Sequence, residues 1–262
     1  DFSSIAITQF VDLNASAVNG PNETNPGAPS GLPVIYSIDN TAVAELAVTM
    51  QANLDAWWKM EEVAGTTLND ASGQGAAIHN GLLLMTDGST SWTGGKFGNA
   101  LLLDGSDDYV LVSGYLGITG SSRRTVSLWF KTTVDDKPLI SYGDANQSNP
   151  GALFNLSLSS GSAVADFGGD NNVTGGSGLA DGNWHHLAVT LPVAAQMGDV
   201  KLYVDGNVTS GDGNTTINTT AASFVKIGSD GSNYFDGQLD DVRFYAADLN
   251  ASTMAQVYGS GF

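Results

Sequence analysis

The sequence contains no cysteine, only three histidines, and nine lysines and arginines in 262 residues. Without cysteine there is no thiol nucleophile, no thiolate zinc site and no disulfide cross-link. A domain of this length buries enough surface to stand without disulfides, so their absence does not argue for a reducing compartment. Against the nine basic residues stand 27 Asp and Glu, for a formal net charge of −18. A surface that acidic repels nucleic acid and anionic lipid and attracts divalent cations. Glutamate is itself scarce, limited to Glu23, Glu45, Glu61 and Glu62, so the acid is aspartate set among turn residues. No apolar run reaches the ~18 residues of a membrane-spanning helix, and no membrane insertion is expected. The chain opens at Asp1 without an initiator methionine or basic leader. It reads as the mature form of a secreted, extracellular or cell-surface protein.

Proline is rare and concentrated. Four of the seven, Pro21, Pro26, Pro29 and Pro33, fall within residues 14–33 together with Gly20, Gly27 and Gly31, which reads as an extended linker. Ahead of it, residues 2–13 are β-prone, with Ile5 and Ile7 alternating against polar neighbours. Residues 34–38 suit a short strand. Residues 41–53 divide: Ala, Leu, Met and Gln with Asn40 as N-cap favour a short helix, while Val43, Val48 and Thr49 also suit a strand. The helix is the preferred reading. Residues 1–53 thus form an N-terminal arm and linker.

From residue 54 onward the texture changes. Glycine is abundant, at 33 residues, and separates short apolar runs. Strands are expected at 56–60, 100–103, 109–112, 125–132, 139–142, 153–158, 163–167, 185–191, 201–204, 224–227 and 240–245, with a brief helix at 250–258 capped by Asn250. Many short strands without an intervening helical pattern indicate an all-β, two-sheet antiparallel jelly-roll sandwich over residues 54–262.

Seven phrases in that region carry a resemblance. They are WWKMEEVAGTTLNDASGQG (57–75), GKFGNALLLDGSDDYV (95–110), TVSLWFKTT (125–133), DGNWHHLAVT (181–190), VKLYVDGN (200–207), KIGSD (226–230) and FDGQLDDVRFYAADL (235–249). In this order they resemble LamG-like domains, the concanavalin A-like lectin/glucanase jelly rolls. The resemblance covers about 200 residues and leaves the arm unexplained. It implies a structural Ca²⁺ tying the loop after the first strand to the last strand, with Asp70 and Asp240 at the matching positions. Asp70 also suits an Asx cap of the turn 71–73. Asp104, Asp107 and Asp108 read as a solvated hairpin end.

Catalytic constellations are absent from the pattern. Glucanases of this fold use paired carboxylates on one strand face, whereas Glu61 and Glu62 are adjacent and would point to opposite faces. His79, His185 and His186 have no nucleophile-elbow sequence to serve. One histidine of the 185–186 pair is expected to be core-facing and the other exposed. An enzyme is therefore not expected. Glycan binding would use exposed aromatics near turns, with Trp92, Tyr115, Tyr142 and Tyr234 as candidates, while Trp57, Trp129 and Trp184 sit in core strand phrases. Asn-x-Ser/Thr triplets occur at nine asparagines, among them Asn155 in mid-strand and Asn172.

Two functions compete. The first is a non-enzymatic structural or adhesive protein. It assembles with copies of itself, as a filament subunit, by donating the N-terminal strand through Phe2, Ile5, Ile7 and Phe10 to a neighbouring sandwich. The second is a carbohydrate-binding, lectin-like module of a larger secreted enzyme or adhesin.

Overall fold

A computed structural model describes residue 51 and residues 53–73, 78–85, 91–146 and 148–259. The expectations for residues 1–50, including the arm residues Phe2, Ile5, Ile7 and Phe10, lie outside the described residues. Within them the chain is an antiparallel β-sandwich of two sheets. Its strands are β1 (Leu54–Trp58), β2 (Thr67–Leu68), β3 (Gly81–Leu84), β4 (Ser91–Gly94), β5 (Asn99–Asp104), β6 (Tyr109–Val112), β7 (Arg124–Lys131) and β8 (Pro138–Gly143). There follow β9 (Leu153–Ser159), β10 (Ser162–Asp166), β11 (Asn172–Gly175), β12 (Trp184–Leu191), β13 (Lys201–Val204), β14 (Asn207–Ser210), β15 (Val225–Ile227) and β16 (Asp236–Tyr245). Helix α1 (Ala251–Gly259) comes last.

The first sheet runs β14-β13-β12-β7-β16-β5-β4. The long β16 serves two neighbours on one side: its first half pairs with β5 and its second half with β1. The second sheet runs β11-β10-β9-β8-β15-β6-β3-β2. All eleven expected strands are present, within a few residues of their expected bounds.

Alternation decides which face each residue takes. In β7, Val126, Leu128 and Phe130 enter the main core between the sheets, where they meet Leu187 and Val189 of β12 and Phe244 of β16. Burying each such side chain stabilises the fold by about 1.5–3 kcal/mol relative to exposure. The intervening Thr125, Ser127 and Trp129 point to the outer face of the first sheet. That face is buried too. Met254 and Val257 of α1 pack with Leu54, Trp57, Ala188, Tyr203, Tyr245 and Leu249 in a second apolar cluster. Asn250 starts the helix as expected, its Oδ1 accepting the Thr253 backbone N–H at 3.0 Å.

Candidate functional site

Two surfaces concentrate polar side chains. The first is the outer face of the first sheet. A bulge in β16 shifts its register against β7 between Asp240 and Arg243. Asp241 takes a left-handed backbone there, with φ 53°. Asp241 Oδ1 accepts hydrogen bonds from Trp57 Nε1 at 2.7 Å and Arg243 Nε at 2.8 Å, and its Oδ2 lies 2.8 Å from Arg243 Nη2. The Arg243 guanidinium also sits over the Trp57 ring, at 4.8 Å.

Next along the same face, His186, Trp129 and Asp240 are direct cross-strand neighbours on β12, β7 and β16. Tyr258 of α1 stacks on Trp129, with ring centroids 5.5 Å apart. His186 is held neutral, its pKa pushed down to about 3 by burial and by the cations of Arg243 and Lys96, against the smaller opposing pull of Asp205. Asp240 is fully buried. Its pKa rises to about 7, chiefly from burial with help from the carboxylates of Asp241 and Glu61, against the backbone N–H groups of Phe97 and Lys96. Its Oδ2 accepts the Phe97 N–H at 2.9 Å, whereas its Oδ1 is buried with no hydrogen-bond partner. The turn it grips passes so close that a Cβ on Gly95 would stand 2.3 Å from Asn99 O and 2.7 Å from Asp240 Oδ2.

Asp70 has a different role. Its Oδ1 accepts the N–H groups of Trp57 and Ser72, and its Oδ2 that of His79, at 2.9–3.0 Å. The bond to Ser72 is the Asx turn considered from sequence. Three backbone donors occupy this carboxylate, so it fits a loop tie better than a Ca²⁺ ligand. Asp240, with a buried oxygen to spare and Glu61 nearby, fits a hard cation. Among the described residues, three acidic ligand atoms converge only at Asp104, Asp107 and Asp108, the hairpin end between β5 and β6.

The second surface is the outer face of the other sheet. Here one transverse row runs unbroken across all eight strands. Thr67 pairs with Leu82, Leu82 with Leu111, and Leu111 with Lys226. Lys226 then pairs with Ser141, Ser141 with Asn155, Asn155 with Asp166, and Asp166 with Asn172. Most of these residues are half-exposed or exposed, in contrast to the outer face of the first sheet. At one end Tyr109, on the same face of β6 as Leu111, packs against Tyr234 with ring centroids 5.9 Å apart. Both rings are half-exposed.

Of the four aromatic candidates, Tyr234 and the half-buried Trp92 reach the surface. Trp92 donates its Nε1–H to Gly65 O at 3.3 Å. Tyr115 and Tyr142 are interior, which corrects the sequence reading. Tyr115 folds back after β6, donates its hydroxyl proton to Asp55 Oδ2 and packs against Trp58 and Phe244. Tyr142 falls on the inward phase of β8 and stacks on Phe154, with centroids 4.8 Å apart. Position near a turn is a poor guide to exposure when the ring takes the inward phase. Two further expectations are adjusted. Trp184 is half-buried, not interior. Neither His185 nor His186 is exposed, because Asp181 and Asp205 enclose the first and Tyr258 covers the second. Sequence reasoning missed Tyr109, Lys226 and Asn155. The signal for them was the alternation in YVLV, VKI and LFNLSLS, which sends each to the face opposite its apolar neighbours.

No curated protein matches the chain in sequence. Solved structures do match in fold. Domain 4 of AbnA, a GH43 extracellular arabinanase from Geobacillus stearothermophilus solved in complex with arabinotriose, is 20% identical, with a TM-score of 0.57. The match covers 79% of this chain and 98% of that one. The receptor-binding domain of botulinum neurotoxin D is 15% identical with a TM-score of 0.55, covering 80% of this chain and 53% of that one. The Trypanosoma rangeli sialidase in complex with sialic acid is 16% identical with a TM-score of 0.54, covering 79% and 33%. At these identities the likeness shows the fold. The sequence itself matches a family model over residues 104–255, more than half its length, and the chain belongs to the concanavalin A-like lectin/glucanases superfamily.

Proposed function

We propose that this protein is an extracellular carbohydrate-binding module of lectin type. The observation that carries the proposal is the half-exposed pair Tyr109 and Tyr234, set at the end of a polar sheet face. Sugar rings offer a C–H face that packs on aromatic rings and a rim of hydroxyls that seek amide, hydroxyl and ammonium partners. Support comes also from fold relatives solved with arabinotriose and sialic acid. A structural Ca²⁺ belongs to the same reading, held with Asp240. A glycan array probed with the full chain tests the proposal. Binding that falls at least tenfold in Tyr234→Ala and Tyr109→Ala, with the circular dichroism of the fold unchanged, is the expected result. An array on which the wild type binds nothing would end it.

A second reading is assembly with copies of itself by strand donation from the arm. It is favoured by β14, an edge strand paired with β13 alone among the described residues and exposed at all four positions. Such an edge offers free backbone groups to an incoming strand. Deleting residues 1–33 should abolish filaments seen by electron microscopy. Filaments that persist without the arm would exclude donation.

A further inference from the structure

Lys226, Ser141, Asn155, Asp166 and Asn172 follow one another directly across β15, β8, β9, β10 and β11. All five are polar, and they stand side by side on one face. The Asn155 side chain stands half-buried in the middle of the row. Lys226 joins the row to the tyrosine pair, since a Cβ on Gly231, in the loop leading to Tyr234, would lie 2.8 Å from its Nζ. From β6 to β11 the face crosses five inter-strand gaps of about 4.8 Å, roughly 24 Å in all, the length of a chain of about five sugar rings. Charge is balanced along the row, with one lysine and one aspartate, in a chain of net charge −18. That field repels polyanions and leaves uncharged chains unaffected.

We infer that this face binds a linear, uncharged oligosaccharide lying across the strands. One ring packs on Tyr109 and Tyr234, and the following rings are hydrogen-bonded by the row from Lys226 to Asn172. The inference rests on the carbohydrate-binding reading and specifies its ligand class. A module built this way recognises the interior of a chain, because affinity accumulates along the row and not at a chain end.

Calorimetric titration of the full chain tests it. The probes are linear xylo-, cello- and arabino-oligosaccharides from disaccharide to hexasaccharide, with sialyllactose and polygalacturonate fragments as anionic counterparts. Affinity in at least one neutral series should climb with each ring until the row is filled. Asn155→Ala should weaken hexasaccharide binding about tenfold and leave the disaccharide unchanged. Asn172→Ala, at an exposed position of the edge strand β11, should weaken only the longest chains. Length-independent affinity indifferent to Asn155→Ala, or a preference for the anionic glycans, overturns this inference while leaving carbohydrate binding in place. Failure to bind any glycan removes both.

Discussion

His185 lies against Asp205, its Nδ1 2.7 Å from the carboxylate Oδ2, where the start of β12 meets the β13–β14 turn. The other ring nitrogen is 3.1 Å from Asp181 Oδ1. Burial lowers the pKa of this imidazole, but hydrogen bonding and attraction from the two carboxylates outweigh it, and the net shift is upward. The folded state therefore binds this proton more tightly than the unfolded chain. The stabilisation is fully present below the ordinary histidine pKa of about 6.5 and fades as pH rises through the folded value. His185→Gln should lower the melting temperature at pH 5.5 and matter little at pH 9, with a difference of at most about 1 kcal/mol for a pair that keeps partial contact with water. Equal losses at both pH values would show that packing, not charge, is at stake.

Asp240 acts in the same sense through a different cause, the burial of its carboxyl. A buried carboxyl whose pKa is raised to about 7 stabilises the fold below its unfolded pKa near 3.9. That contribution is lost as pH rises towards 7. Without divalent cations at pH 8, Asp240→Asn should therefore be more stable than the wild type, by about 1–3 kcal/mol. Calcium should reverse the order, because Ca²⁺ would neutralise the wild-type carboxylate and has no carboxylate to neutralise in the variant. Differential scanning calorimetry of both proteins in excess calcium and excess EDTA reads the two effects. No calcium-dependent shift in the wild type would remove the metal from the proposal.

The sandwich was legible because its core strands carry the alternation that burial demands, as in TVSLWFK and WHHLAVTL. Five strands were not: β2, β3, β4, β11 and β14. Two of them, NVTG and NVTS, are short polar edge strands. Their pairing comes from the neighbouring strand and leaves no apolar period to read. The same limit applies to the candidate site. The row from Lys226 to Asn172 takes at most one residue from each strand, so no window of sequence contains it. Tyr115 misled for a related reason. Its interior place depends on Asp55, Trp58 and Phe244, all distant in sequence.

Arg124 shows what such distant pairing can hold. Its side chain is buried, and its partners are three backbone carbonyls and a hydroxyl. Nη1 donates to Ile118 O and, at 3.0 Å, to Thr219 Oγ1. Nη2 reaches Gly120 O at 2.7 Å, and Nε reaches Ser122 O at 3.2 Å. The fork thus ties the loop before β7 to residue 219, where Gly120 N–H also donates to Thr219 O at 2.7 Å. A lysine ammonium is a point charge without this planar spread. Arg124→Lys should leave at least one buried carbonyl unmet and cost about 2–4 kcal/mol, measured by urea unfolding. Arg124→Met keeps most of the stem and removes every donor, so it should cost at least as much. If the methionine variant unfolds at the wild-type urea concentration, the guanidinium contributes nothing net, and the loops are held by backbone pairing alone.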